Sequence, residues 1–176
     1  MAMPPPSSFT RRPRLLVVSP NRSHQAVLAR RLGAEGYSIV TASDGATALG
    51  ELRRSSIDVV IAELVMDPMS GPELTRSIRE QAAFAETPVI LIASRAEADP
   101  AVRAFEAGAE DVILKPFHFE VLVARIERRR AAAARVAALR ADMEAMDARA
   151  AMKAIELGEL KDRMVQLEAE RRRLPA

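Results

Sequence analysis

The sequence predicts an α/β protein: a doubly wound, five-stranded parallel sheet over residues 14–130, then a long C-terminal helix with coiled-coil periodicity over 131–176. Three observations carry this. Short apolar runs alternate with helical patterns five times within about 110 residues. The apolar runs are apolar throughout rather than at every second residue, as expected where helices cover both faces of a sheet. From residue 118 onward there is no proline before Pro175 and a single glycine, Gly158, while Ala, Arg, Glu, Leu and Met dominate.

Residues 1–13, MAMPPPSSFTRRP, are rich in proline and serine and are expected to be a disordered tail. RLLVVSP follows, too short for a buried helix and halted by Pro20, so it reads as the first strand. In SHQAVLARRLGAEGY, Val27, Leu28, Arg31 and Leu32 have helical spacing, and Gly33 or Gly36 is expected to stop the helix. SIVTA is the second strand and DGATALGELRRS the second helix. DVVIAEL, rich in β-branched residues, is the third strand. Beyond the loop VMDPMSG, the helix PELTRSIREQ opens on Pro72. TPVILIAS, PAVRAFEAG and EDVILKP complete the series as strand, helix and strand. In such sheets chemistry sits at the carboxyl ends of the strands. Here those ends hold Ser19 and Pro20, Glu63, Ala93 and Ser94, and Lys115 with Pro116.

Composition narrows the function classes. Hydrophobic residues make up 49% of the 176, enough for a buried core. Aromatics are 3% and Trp is absent, which argues against a stacking surface for single-stranded nucleic acid. The absence of Cys rules out disulfides, thiolate metal sites and a Cys nucleophile. There is no run of signal-peptide or membrane-span character, so a soluble cytoplasmic protein is expected. No phosphate-cradling glycine loop, metal cluster or nucleophile triad is visible, so neither catalysis nor a cofactor is expected.

Taking Val136 as heptad position a, the a series is Val136, Met143, Ala150, Leu157, Met164 and Arg171. The d series is Leu139, Met146, Lys153, Leu160, Leu167 and Leu174. The segment spans roughly 60 Å as a helix, and a lone helix carrying that stripe needs a partner in water. In a parallel homodimer Glu156–Lys161 and Arg163–Glu168 attract, while Arg135–Arg140 and Asp142–Asp147 repel. Arg128, Arg129 and Arg130 form a basic run, but Glu120, Glu127 and later acids dilute it, which favours a solvated helix face over a nucleic-acid surface. His24 and His118 both lie outside the coil, so that helix holds no phosphotransfer histidine.

RLLVV, EGYSIVTASDGATAL, DVVIAELVMDPMSGPEL, TPVILIAS and AFEAGAEDVILKPF together resemble the receiver domain of two-component response regulators. The resemblance covers about two-thirds of the chain and implies the flavodoxin-like strand order 2-1-3-4-5. It also implies roles for single positions. The family's Lys-Pro pair is Lys115 and Pro116. The Mg²⁺-binding acidic pair falls on Ser19 and Pro20, and the phosphoacceptor Asp on Glu63. The phosphoryl-sensing hydroxyl falls on Ala93 and the aromatic switch on Val112. Mg²⁺ needs hard anionic oxygen ligands, and phosphoryl transfer depends on positioning and charge neutralisation. A degenerate receiver is therefore expected, with a Glu63–Lys115 ion pair in which Glu63 either mimics a phosphorylated acceptor or is simply tolerated. Ser94 is a stand-in hydroxyl, a helix cap or a loop hydrogen bonder; Asp67 is the one stray acceptor within reach, and Asp58 lies at the wrong strand end.

The resemblance further implies a dimer through the fourth helix, fifth strand and fifth helix. Asp111 and Arg125 fall where one response-regulator class places an inter-subunit ion pair, although Ala101 and Val121 stand where another is expected. The leading expectation is a phosphorylation-independent adaptor or scaffold that homodimerises or docks on an unidentified signalling protein. The competing readings are a phosphorelay regulator with a nonstandard acceptor, and a nucleic-acid or membrane adaptor working through the arginine-rich helix.

Overall fold

A computed structural model describes residues 11–173. Among the described residues ten elements alternate. They are β1 (Arg14–Val18), α1 (Arg22–Ala34), β2 (Ser38–Ala42), α2 (Gly45–Arg54), β3 (Val59–Glu63), α3 (Gly71–Arg79), β4 (Val89–Ser94), α4 (Pro100–Glu106), β5 (Asp111–Lys115) and α5 (Phe119–Arg173). The strands form one parallel sheet in the order β2-β1-β3-β4-β5. The chain divides into two compact units, 1–133 and 134–176.

The inner strands β1, β3 and β4 are apolar along most of their length because each face of the sheet meets helices, whereas the edge strand β2 carries Ser38 and Thr41. Leu16, Val18, Val60, Ala62 and Leu91 point into one core, with Leu74 and Ile78 of α3. Their neighbours Leu15, Val17, Ile61, Ile90 and Ile92 point into the other, with Leu32 of α1 and Leu122 and Ile126 of α5. Full burial of one such side chain is worth roughly 1.5–3 kcal/mol.

The helix starts are set by local chemistry. Asn21 caps α1 by accepting from the N–H groups of Ser23 and His24. Asp44 caps α2. Ser70 and Glu73 form a reciprocal capping box on α3. α1 runs through Gly33, and the chain turns at Gly36, whose φ of +91° suits a residue without Cβ. Of the α1 stripe only Leu32 is fully buried, and Val27 is exposed.

Residues 1–10 of the expected N-terminal tail, and the d position Leu174, lie outside the described residues. Residues 11–13 depart from the expectation of a free tail. The Arg11 guanidinium lies 3.0 Å from the Asp58 carboxylate, and the Pro13 carbonyl accepts from the Ser38 N–H. Asp58, at the amino end of β3, also accepts from the Arg14 N–H and so fastens the start of β1. Among the described residues no helix is long and apolar enough to cross a membrane.

Candidate functional site

The parallel register builds the site. Val18 pairs with Ala62, so the next residues along, Ser19 and Glu63, emerge side by side at the carboxyl edge. Glu63 pairs with Ile92, and Ser94 pairs with Lys115 on the far side of β4. Gly71 closes the loop from below. A Cβ there would stand 2.5 Å from the Glu63 carbonyl oxygen, so only glycine lets α3 begin this close to β3.

Glu63 is the hub. Its Oε1 accepts a 2.7 Å hydrogen bond from the Ser19 hydroxyl, and Lys115 Nζ lies 3.2 Å from its Oε2. His24 Nδ1 approaches Oε1 at 3.4 Å. Ser19 is buried, and its oxygen also accepts from the Asn21 N–H, so its hydroxyl is used in both senses. Burial pushes the Glu63 pKa up. The Ser19 hydroxyl, the Lys115 ammonium and His24 outweigh it, leaving the carboxyl below its usual range.

Both carboxylate oxygens are thus engaged by groups of the chain itself. The extra methylene of a glutamate lets one side chain reach Ser19 and Lys115 together. The donor set does not suit Mg²⁺: Ser19 offers a neutral, already committed hydroxyl, and Pro20 offers no side-chain oxygen. Among the described residues no group of three or more His, Asp or Glu side chains is arranged to hold a metal.

The positions expected to sense charge are apolar and packed away. Ala93 and Val112 are both buried in the core cluster that also holds Leu74 and Ile78. Ser94 does not cap α4. Its hydroxyl accepts from Ala96 N–H and its own N–H donates to Glu97, a local loop arrangement. Asp99 occupies the α4 N-cap position instead, with no side-chain cap bond. Asp67 is exposed in the loop after β3 and precedes a cis Asp67–Pro68 bond. The Lys115–Pro116 bond is also cis.

Beside Glu63 lies a cleft of about 410 Å³, bounded by His24, Leu28 and Arg31 of α1 and by Lys115, Phe117 and Phe119. The Arg31 guanidinium stacks 3.9 Å over the Phe119 ring. His24 is a site residue that the sequence reading did not bring to Glu63. Its signal was its place in the first turn of α1, three residues after the capping Asn21.

Asp111 and Arg125 bond each other within one chain. Asp111 is buried, and its second oxygen accepts from Arg129 at 3.2 Å. Arg129, one turn beyond Arg125 on α5, was recoverable from that four-residue spacing. Arg130 pairs with Glu127 at 2.8 Å, so two of the three arginines in the basic run serve carboxylates of the fold. The seam residues Val136, Leu139, Met143, Met146, Leu157, Leu160, Met164 and Leu167 are all exposed on α5.

Comparison with known proteins agrees with this architecture. Residues 15–127 match the model of the response regulator receiver domain. The chain is 35% identical over 125 residues to the transcriptional regulatory protein PrrA of Mycobacterium leprae, covering 69% of this chain and 53% of that protein. It is 33% identical over 113 residues to the response regulator MprA of the same organism, covering 64% and 49%. The chain thus spans about half the length of these curated relatives. Among solved structures, a putative response regulator from Chloroflexus aurantiacus superposes with a TM-score of 0.66 at 25% identity, over 69% of this chain and 99% of that one. The chemotaxis response regulator CheY4 of Vibrio cholerae gives 0.63 at 26% identity, over 68% and 99%. With the strand order, the Lys-Pro corner and this match in hand, the chain belongs to the response regulator receiver family of two-component signalling.

Proposed function

We propose that this receiver no longer accepts a phosphoryl group and acts as a phosphorylation-independent adaptor, dimerising or docking on a signalling partner. The observation that carries the reading is the closed set of bonds around Glu63. Its carboxylate is held by Ser19 and Lys115, at the positions where an active site would hold metal and phosphoryl oxygens. A carboxylate so engaged is a poor nucleophile, and no charged ligand at Ser19 or Pro20 replaces the metal's neutralising role. Glu63 supplies a permanent negative charge against Lys115. With Ala93 and Val112 apolar, no hydroxyl or aromatic switch converts that charge into movement.

The output then rests on surfaces. Val102 and Phe105 of α4, Leu114 of β5 and Val121 of α5 are exposed and offer apolar area for a dimer or partner. The Asp111–Arg125–Arg129 cluster supports that face from within one chain. The exposed heptad seam is a second such surface, and nucleic acid is disfavoured because Arg129 and Arg130 are already paired.

The test is intact-protein mass after incubation with acetyl phosphate and Mg²⁺. The expected result is no phosphoryl adduct. A Mg²⁺-dependent single adduct overturns the reading and makes mapping of Asp67 and Glu63 the next step.

A further inference from the structure

The g positions of the C-terminal helix alternate in sign along its whole length. Arg135, Asp142, Arg149, Glu156, Arg163 and Glu170 run plus, minus, plus, minus, plus, minus. All six are exposed, as are the apolar seam residues between them. In a parallel pair, g faces e of the other helix, and two of the resulting pairs repel while two attract. In an antiparallel pair, g faces g. A strictly alternating series then gives complete attraction or complete repulsion, switching with each heptad of slip.

We infer that residues 135–170 form an antiparallel coiled coil with a second copy of this chain, in the register that sets Arg149 against Glu156. In that register Arg135 also meets Glu170, and Asp142 meets Arg163. Every g pair is of opposite sign, and a shift of one heptad either way makes every g pair like-signed. At the e positions of this register Arg140 meets Lys161 of the other copy, a like-signed pair, and Asp147 meets Ala154, so the three opposite-signed g pairs outnumber the one repulsive e pair.

The core agrees independently. Layers in antiparallel coils place a beside d, and the ten seam positions from Val136 to Leu167 map onto themselves when the chain is reversed. Val136 faces Leu167 and Leu139 faces Met164. Further in, Met143 faces Leu160 and Met146 faces Leu157. The one polar seam residue, Lys153, meets the smallest one, Ala150, where its alkyl stem has room. A parallel pair instead stacks Lys153 on Lys153 in a single layer. The occupant is thus a second copy: the helix is complementary to its own reverse in charge and in volume. This deepens the dimer part of the proposal above and is independent of its phosphoryl part.

The full chain has no cysteine, so introduced thiols report pairing cleanly. V136C and L167C are made singly, mixed, and oxidised. The expected product is a 136–167 heterodisulfide, with neither variant alone forming a disulfide-linked dimer. A 136–136 disulfide shows a parallel coil and overturns the inference while leaving the dimer intact. Crosslinking of V136C to L160C overturns the register. Monomeric mass of the unmodified chain by light scattering overturns both the inference and the homodimer reading. Charge reversal gives a second readout. R149E is expected to weaken association by roughly fivefold, from exposed pairs worth tenths of a kcal/mol each, and adding E156R is expected to restore it. In a parallel coil E156R meets Lys161 and weakens association further, so failure of the double variant to recover overturns the inference.

Discussion

The receiver unit and the C-terminal segment are comparably apolar in sequence, yet they treat that apolar surface in opposite ways. In the receiver, Leu15, Leu16, Leu74 and Leu91 lie wholly inside. In the segment, Leu139, Met143 and Met146 are about two-thirds exposed, at 63%, 65% and 67%. The receiver closes on itself because a parallel sheet offers two faces and its connections supply helices for both. A single helix has no second layer of its own, and in the proposed coil a second chain covers its stripe. Polar groups follow the same division. Glu63 and Asp111 find their partners within the receiver, whereas in the proposed coil the alternating g charges of the segment meet theirs across the pair of chains.

One substitution made in both regions measures the difference. Leu91→Ala removes a fully buried side chain, and unfolding stability is expected to fall by about 2–5 kcal/mol in chemical denaturation. Next in size is Gly71→Ala, whose new methyl meets the Glu63 carbonyl at 2.5 Å. A loss of about 1–3 kcal/mol is expected in the same assay, and a neutral result would show that α3 can start further from β3.

Glu63→Gln is expected to cost about 1 kcal/mol near neutral pH, because Lys115 loses its counter-charge while Ser19 keeps an oxygen to donate to. The sign with pH follows from the lowered Glu63 pKa. The carboxylate's contribution is complete above the ordinary glutamate range and is lost as pH falls through the depressed folded value. Denaturation curves of the two proteins should therefore converge on acidification, and a constant gap would show that the ion pair is not its source.

The smallest effect is expected for Leu139→Ala. Its side chain is exposed in the lone chain and alanine is the better helix former. Receiver unfolding should change by less than about 0.5 kcal/mol, while dimer dissociation monitored by dilution should become easier. A large loss in the receiver would abolish the contrast between the two regions.

Strand identity was readable because continuous apolar runs bounded by Pro20, Asp58 and Pro116 leave few other structures open, while the strand order was what the resemblance to receiver domains implied. The Glu63–Lys115 pair was readable because both residues end strands. The rest of the site was not, for physical reasons. Ser19 was visible as a lost metal ligand. Its role as a donor to Glu63 depends on the β1–β3 register and on the length of a glutamate side chain. His24 reaches Glu63 only because Asn21 caps α1 in one particular orientation. Asp111 and Arg125 are joined within one chain because α5 lies against β5, bringing Arg129 to the same carboxylate. Such contacts belong to the third dimension, and spacing along the chain only hints at them.

Tyr37 is the chain's single tyrosine, and there is no tryptophan. It is buried after α1 and donates a 2.6 Å hydrogen bond to Glu127 of α5. Burial first, and then the neighbouring carboxylate, push its pKa well up. A phenol bonded to a carboxylate loses much of its emission through proton transfer in the excited state. The protein therefore carries a built-in optical gauge. Near-ultraviolet fluorescence comes from one ring, dim while α5 is seated on the β2 approach and bright once Glu127 lets go. Unseating of that helix can be followed in real time, without a label.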